Sequence, residues 1–158
     1  LSAQKSLARI GIVVDPIEYA NFAEYFTTGL GSPENMSSQE IGLATTGWGP
    51  DFSSAYSFWA PLVDGRKIKP SSNQNFAELN FDELNLLLDS LETSESPSES
   101  ASISRAIELL VMSEAVYLPY AVDRIVLYRS KELTDIYVQI ALGNQYDLVN
   151  IGKRENIQ

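Results

Sequence analysis

Residues 41–51, IGLATTGWGPD, constrain the fold more tightly than any other stretch of the chain. The first six form a short, partly β-branched apolar run, which suits a buried strand. Pro50 cannot donate to a ladder and stops the strand, while Gly47 and Gly49 let backbone or ligand approach closely. The strand must therefore run into a shaped loop that carries one aromatic face, Trp48, and one carboxylate, Asp51. In α/β proteins the loop at the carboxyl end of a strand is where a ligand binds. A surface turn with a core tryptophan is the plainer reading of the same residues.

The flanking pattern supplies the context. Residues 7–14 (LARIGIVV) read as a helix end turning into a second buried strand, punctuated by Asp15 and Pro16. Helical spacing follows over 17–30, with Ile17, Ala20, Phe22, Phe26 and Leu30 on one broad stripe and Gly29 and Gly31 as the stop. Residues 32–39 read as a polar connection. Strand, helix and strand in this order predict a right-handed parallel crossover. Beyond Asp51, residues 56–63 read as a short aromatic helix or turn closed by Asp64 and Gly65, and 66–77 as a polar loop. Asn80 is placed as an N-cap, with Glu83 at capping-box spacing and a stripe of Leu84, Leu87, Leu88 and Leu91. Residues 92–101 read as an acidic interhelix loop, and a helix from 102 or 103 to 113 buries Ile107, Leu110 and Val111. Strands are expected at 115–120, 124–128 and 135–140, a turn at Gly143 and Asn144, and an extended segment at 146–151. The order is mixed α/β.

Composition narrows function by subtraction. At 158 residues the chain suits one domain, burying roughly 70% of its unfolded surface. A net charge of −10 argues against a nucleic-acid partner and eases binding of a cationic or zwitterionic ligand. The densest basic group, Arg66, Lys67 and Lys69, does not reverse that. The chain has no cysteine and no histidine, which removes disulfides, thiolate and imidazole metal ligands and histidine triads. Carboxylate, lysine or tyrosine chemistry is left. No run approaches the ~20 apolar residues of a membrane span. The chain begins at Leu1 without a signal-peptide pattern and is expected to be a fragment of a longer protein.

In order along the chain, LARIGIVV (7–14), the 19–27 helix, IGLATTGWGPD (41–51), Phe58 with Leu62, NFDELNLLLD (80–89) and 106–119 resemble segments of the family 5 extracellular solute-binding proteins. These are the oligopeptide- and dipeptide-binding receptors of ABC importers. Asp64, Gly65 and Arg66 and residues 146–152 look most like actinobacterial members. The resemblance covers nearly the whole chain and implies the C-terminal lobe of a two-lobed, class II periplasmic-binding-protein-like fold, with a mixed sheet flanked by helices. The whole of 1–158 would be one α/β lobe, completed by an N-terminal lobe of the full-length protein.

By resemblance, Asp51 would clamp the free α-amino group of a peptide, Trp48 would wall the same pocket, and Gly49 and Tyr56 would also reach the ligand. The chain departs from the family at Ser53, Ser54 and Ala55, where many peptide binders carry Asp-Pro. The implied function is solute binding, of an oligopeptide first, with delivery to a membrane permease and no catalysis or cofactor. The protein would be lipid-anchored at the outer face of the cell membrane or periplasmic. Related receptors take sugars, nickel complexes or other solutes, which stay open alternatives. So does a carboxylate-based hydrolase domain, which would need a second acid facing Asp51 across a cleft of about 5–9.5 Å.

Overall fold

A computed structural model describes residues 2–122, 124, 126–139 and 145–154. It is mixed α/β, as the sequence implies, with its helices gathered around one core and its strands in two small antiparallel ladders.

The core is built by three helices. Helix α4 (Ala55–Val63) is capped by the Ser54 side chain, which accepts from the Tyr56 N–H. Helix α5 (Asp82–Glu92) carries Asp82 and Glu83 in its first turn, where acids suit the positive helix end, and buries Leu84, Leu88 and Leu91 at i, i+4 and i+7. Helix α6 (Pro97–Ser113) buries Ile107 and Val111. The three pack on one another around Ala60, Leu62 and Val63 of α4, with Leu79 filling the end. The indole N–H of Trp59 crosses from α4 to donate to Ser104 Oγ of α6 at 2.7 Å.

Two boundaries differ from the sequence reading. The N-cap of α5 is Phe81, and Asn80 instead packs against Gly65, where an added Cβ would lie 2.2 Å from its Oδ1. Helix α6 begins inside the acidic stretch read as loop. Ser96 Oγ accepts from the Glu99 N–H, Pro97 occupies the first turn, and the Glu99 carboxylate accepts from the Glu95 N–H. That is close to a reciprocal capping box, with proline where its missing N–H costs nothing.

The N-terminal half is looser. Helix α1 (Ser2–Ala8) leads into irregular chain, and α2 (Phe22–Glu24) continues directly into a π-helical turn (Tyr25–Gly29), where the Leu30 N–H donates to the Tyr25 carbonyl at 2.7 Å. Helix α3 (Pro33–Ser38), capped by Ser32, replaces the expected polar connection. The expected helix over 17–30 is therefore confined to Phe22–Gly29.

The strands are where expectation and structure part. Residues 7–14 and 41–46 form no ladder among the described residues, so the parallel crossover is not built. Among the described residues no strand lies alongside them to take their ladder hydrogen bonds, and Val13 and Leu43 are exposed. Residues 115–120 and the described part of 124–128 are likewise irregular. Pairing is found further on: β1 (Leu133–Thr134) with β4 (Gly152–Lys153), and β2 (Val138–Gln139) with β3 (Gln145–Tyr146), the second pair nested inside the first. Among the described residues the pairing amounts to two short antiparallel ladders. The expected strand at 135–140 shrinks to β2, the segment at 146–151 turns between β3 and β4, and the turn at Gly143 and Asn144 lies outside the described residues.

Candidate functional site

The loop that ends at Asp51 is held from two sides. On one, Trp48 packs against the helical core, with its Nε1 buried and without an acceptor among the described residues. On the other, the Tyr25 hydroxyl donates to the Thr45 carbonyl, which fastens the strip to the π-helical turn. Burial holds the Tyr25 phenol above its ordinary pKa, against the pull of that hydrogen bond. From Gly42 to Gly49 the chain makes no backbone–backbone hydrogen bond among the described residues. The result is an irregular strip whose backbone groups, apart from the Thr45 carbonyl, are unpaired among the described residues, clamped in place at Thr45 and Trp48.

Beside the strip lies an open cleft of about 300 Å³ lined by Phe22, Tyr25, Phe26, Thr45, Thr46, Gly47 and Tyr120. The π turn places Tyr25 and Phe26 together at its wall, their rings edge to face with centroids 5.0 Å apart, and Phe22 packs on Phe26 at 4.4 Å. Phe26 also meets the buried Phe76, and the Ser72 and Asn73 N–H groups donate to Thr27 and Gly31 carbonyls. The cleft wall is thereby tied to the 66–77 loop. Gly31 admits this packing, since a Cβ there would stand 2.1 Å from the Phe26 carbonyl oxygen.

The four sequence candidates separate in space. Asp51 and Gly49 are exposed, and the Asp51 carboxylate makes no hydrogen bond or ion pair among the described residues. Trp48 and Tyr56 lie half-buried against the helical core, and neither lines the aromatic cleft. Trp48 thus braces the loop from the inside. The Tyr56 hydroxyl accepts from Lys67 Nζ at 2.9 Å, and that ammonium also lies over the Tyr56 ring. Asn73 and Asn75, in the segment read as a polar loop, are both buried: the Asn75 side chain accepts from the Leu79 N–H and donates to its carbonyl, folding the loop on itself. Phe22, Tyr25, Phe26 and Tyr120 were not singled out for a site from the sequence. Phe22, Tyr25 and Phe26 stand at i, i+3 and i+4, ordinary helical spacing, while Tyr120 comes from a segment almost a hundred residues away.

Among the described residues the buried acid is Asp64, and both of its oxygens are held by Arg66, at 2.9 and 3.2 Å. No group of three or more acids, histidines or cysteines is gathered among them to hold a metal ion.

No family model matches the chain, and no curated protein matches it. A solved structure does: the chain is similar over 98% of its length to the "Clavulanic acid biosynthesis oligopeptide binding protein 2", at 39% sequence identity and a TM-score of 0.88. It spans 28% of that protein's own chain. Fold and sequence agree over the same residues, so the chain matches part of the fold of an oligopeptide-binding protein, in line with the ordered motifs around Asp51.

Proposed function

We propose that the chain forms the ligand-binding part of an extracellular receptor for oligopeptides. It works with a second lobe of the same full-length protein, closes on its solute by hinge motion and passes it to a membrane permease. The receptor sits at the outer face of the cell membrane, by a lipid anchor, or in the periplasm. The observation that carries this reading is the free Asp51 carboxylate, exposed in the same loop as an unpaired backbone strip and an uncharged aromatic cleft. A peptide offers the matching groups in the matching order. Its α-ammonium pairs with Asp51, Gly49 leaves room for the approach, and its extended backbone takes up the free N–H and C=O groups. Trp48 holds the loop to the core, and Tyr56 steadies the start of α4 behind it. The oligopeptide named for the similar protein supports the same ligand class.

Calorimetry on the full-length protein tests this with alanine-rich peptides of three to five residues, free and N-acetylated. Acetylation and Asp51→Asn should each weaken binding by roughly 10- to 100-fold, the worth of one charge-assisted hydrogen bond. Their effects should not add. Acetylated and free peptides binding alike would remove Asp51 from the site, and no binding by any peptide would remove the ligand class.

A further inference from the structure

We propose that Ser57 is a positioning residue for Asp51, its hydroxyl holding the carboxylate's loop where a ligand ammonium meets it; the inference rests on the receptor function proposed above. Ser57 lies in the first turn of α4 and is 5% exposed. Its hydroxyl has one proton and two acceptors, the Phe52 and Ser54 carbonyls, each at 2.8 Å. The Phe52 carbonyl also accepts from the Ser54 N–H at 2.7 Å. The residue directly after Asp51 is therefore held by two donors, one from the backbone and one from a side chain. The Phe52 ring is 56% exposed, so hydrogen bonding and not burial does the fastening. The Ser54 bond closes a turn of three residues, and the Ser57 hydroxyl ties Phe52 in that turn to the body of α4.

On the other side of Asp51 stands Trp48, packed against the helical core. Between these two anchors only Gly49, Pro50 and Asp51 remain. So short an arch has little slack, and the Pro50 ring fixes one of its few soft torsions. Asp51 is exposed and makes no hydrogen bond or ion pair of its own among the described residues, so its placement comes from the backbone that carries it. A carboxylate on an anchored arch meets an ammonium with less ordering left to lose than one on a loose loop. Cutting the Ser57 bond frees the far end of the arch and leaves the flexible Gly49 joint unopposed.

The test uses the full-length receptor and alanine-rich peptides, free and N-acetylated, and reads the ratio of their affinities by calorimetry. That ratio reports the contact between ammonium and Asp51, whereas a merely structural role of Ser57 would weaken both peptides alike. Ser57→Ala should lower the ratio by about three- to tenfold, the cost of ordering one loosened side chain on binding. Ser57→Thr, which keeps the hydroxyl, should hold the ratio within about twofold of the parent. In an Asp51→Asn background Ser57→Ala should change free-peptide affinity by less than about twofold, because the group it positions is gone. Should the alanine variant not fold, Ser57→Cys keeps the volume, weakens the donor and should lower the ratio in the same way. A ratio unchanged in the folded Ala or Cys variant, or equal losses for both peptides, would overturn the inference and leave the receptor function standing. So would a ratio lost equally in Ser57→Thr, which would put the effect on shape and not on the hydroxyl. A parent receptor that binds free and acetylated peptides alike would remove Asp51 from the site and this inference with it. No binding by any peptide would overturn the receptor function as well.

Discussion

At Asp64 two opposing effects meet on one carboxylate. It is 1% exposed, and burial alone would raise its pKa, yet its pKa is lowered because the Arg66 guanidinium and backbone N–H both donate to it. The same guanidinium reaches Asp89 on α5 at 2.8 and 3.0 Å, so one arginine joins the end of α4 to the middle of α5. A carboxyl whose pKa is depressed on folding stabilises the protein fully above its ordinary value of 3.8 and loses that contribution as pH falls through the folded value. Asp64→Asn should therefore cost about 2 kcal/mol at pH 7, toward the lower side for a broken buried pair because Arg66 is half exposed. The difference from the parent should be flat above about pH 5 and shrink below pH 4. Urea denaturation across that range checks it, and a difference constant down to pH 3 would show that the charge is not what Asp64 contributes.

Elements were legible where a pattern repeats within one helix. Leu84, Leu88 and Leu91 announce α5 because burial of one face needs no knowledge of the rest of the chain. The start of α6 was hidden by composition: serines and acids between 92 and 101 read as solvated loop, although Ser96, Pro97 and Glu99 stand at capping positions. The cap can be measured. Ser96→Ala should destabilise the protein by about 1 kcal/mol, and in a double-mutant cycle with Glu99→Ala the losses should be less than additive because both side chains serve one helix end. Full additivity would mean that the two hydrogen bonds act independently. Of the candidate site, the sequence revealed the loop chemistry of Gly47, Gly49 and Asp51 and missed the cleft beside it. Phe22, Tyr25 and Phe26 share a helix face at i, i+3 and i+4, but Tyr120 joins them only because the chain returns past the helix at 120, an event that leaves no mark at fixed spacing. The π turn also explains why a regular stripe through Ile17 and Leu30 was the wrong template: Ile17 lies outside it, exposed, while Leu30 closes it, buried.

Across the whole molecule, burial is uneven in a way that bears on function. The fully buried side chains concentrate around α4, α5 and α6, while Val13, Leu118, Val122, Tyr128 and Val149 are each more than 80% exposed. Apolar, β-branched runs that read as buried strands thus keep the composition of strands but lack a neighbour to pair with. The chain spans 28% of the similar solved protein, and we expect the rest of the full-length receptor to cover these segments and supply the facing side of the peptide site. Two measurements on the isolated 158-residue chain follow from that expectation. It should bind a hydrophobic dye and associate at micromolar concentration, because exposed apolar patches of this extent seek a partner. It should also bind alanine-rich peptides only at about millimolar affinity or weaker, since one wall of a cleft gives up both the desolvation and the second set of hydrogen bonds that closure provides. Dye binding should fall and peptide affinity rise when the remainder of the receptor is present. A monodisperse isolated chain with micromolar peptide affinity would show instead that this segment carries a complete site, with Asp51, the free strip and the aromatic cleft sufficient by themselves.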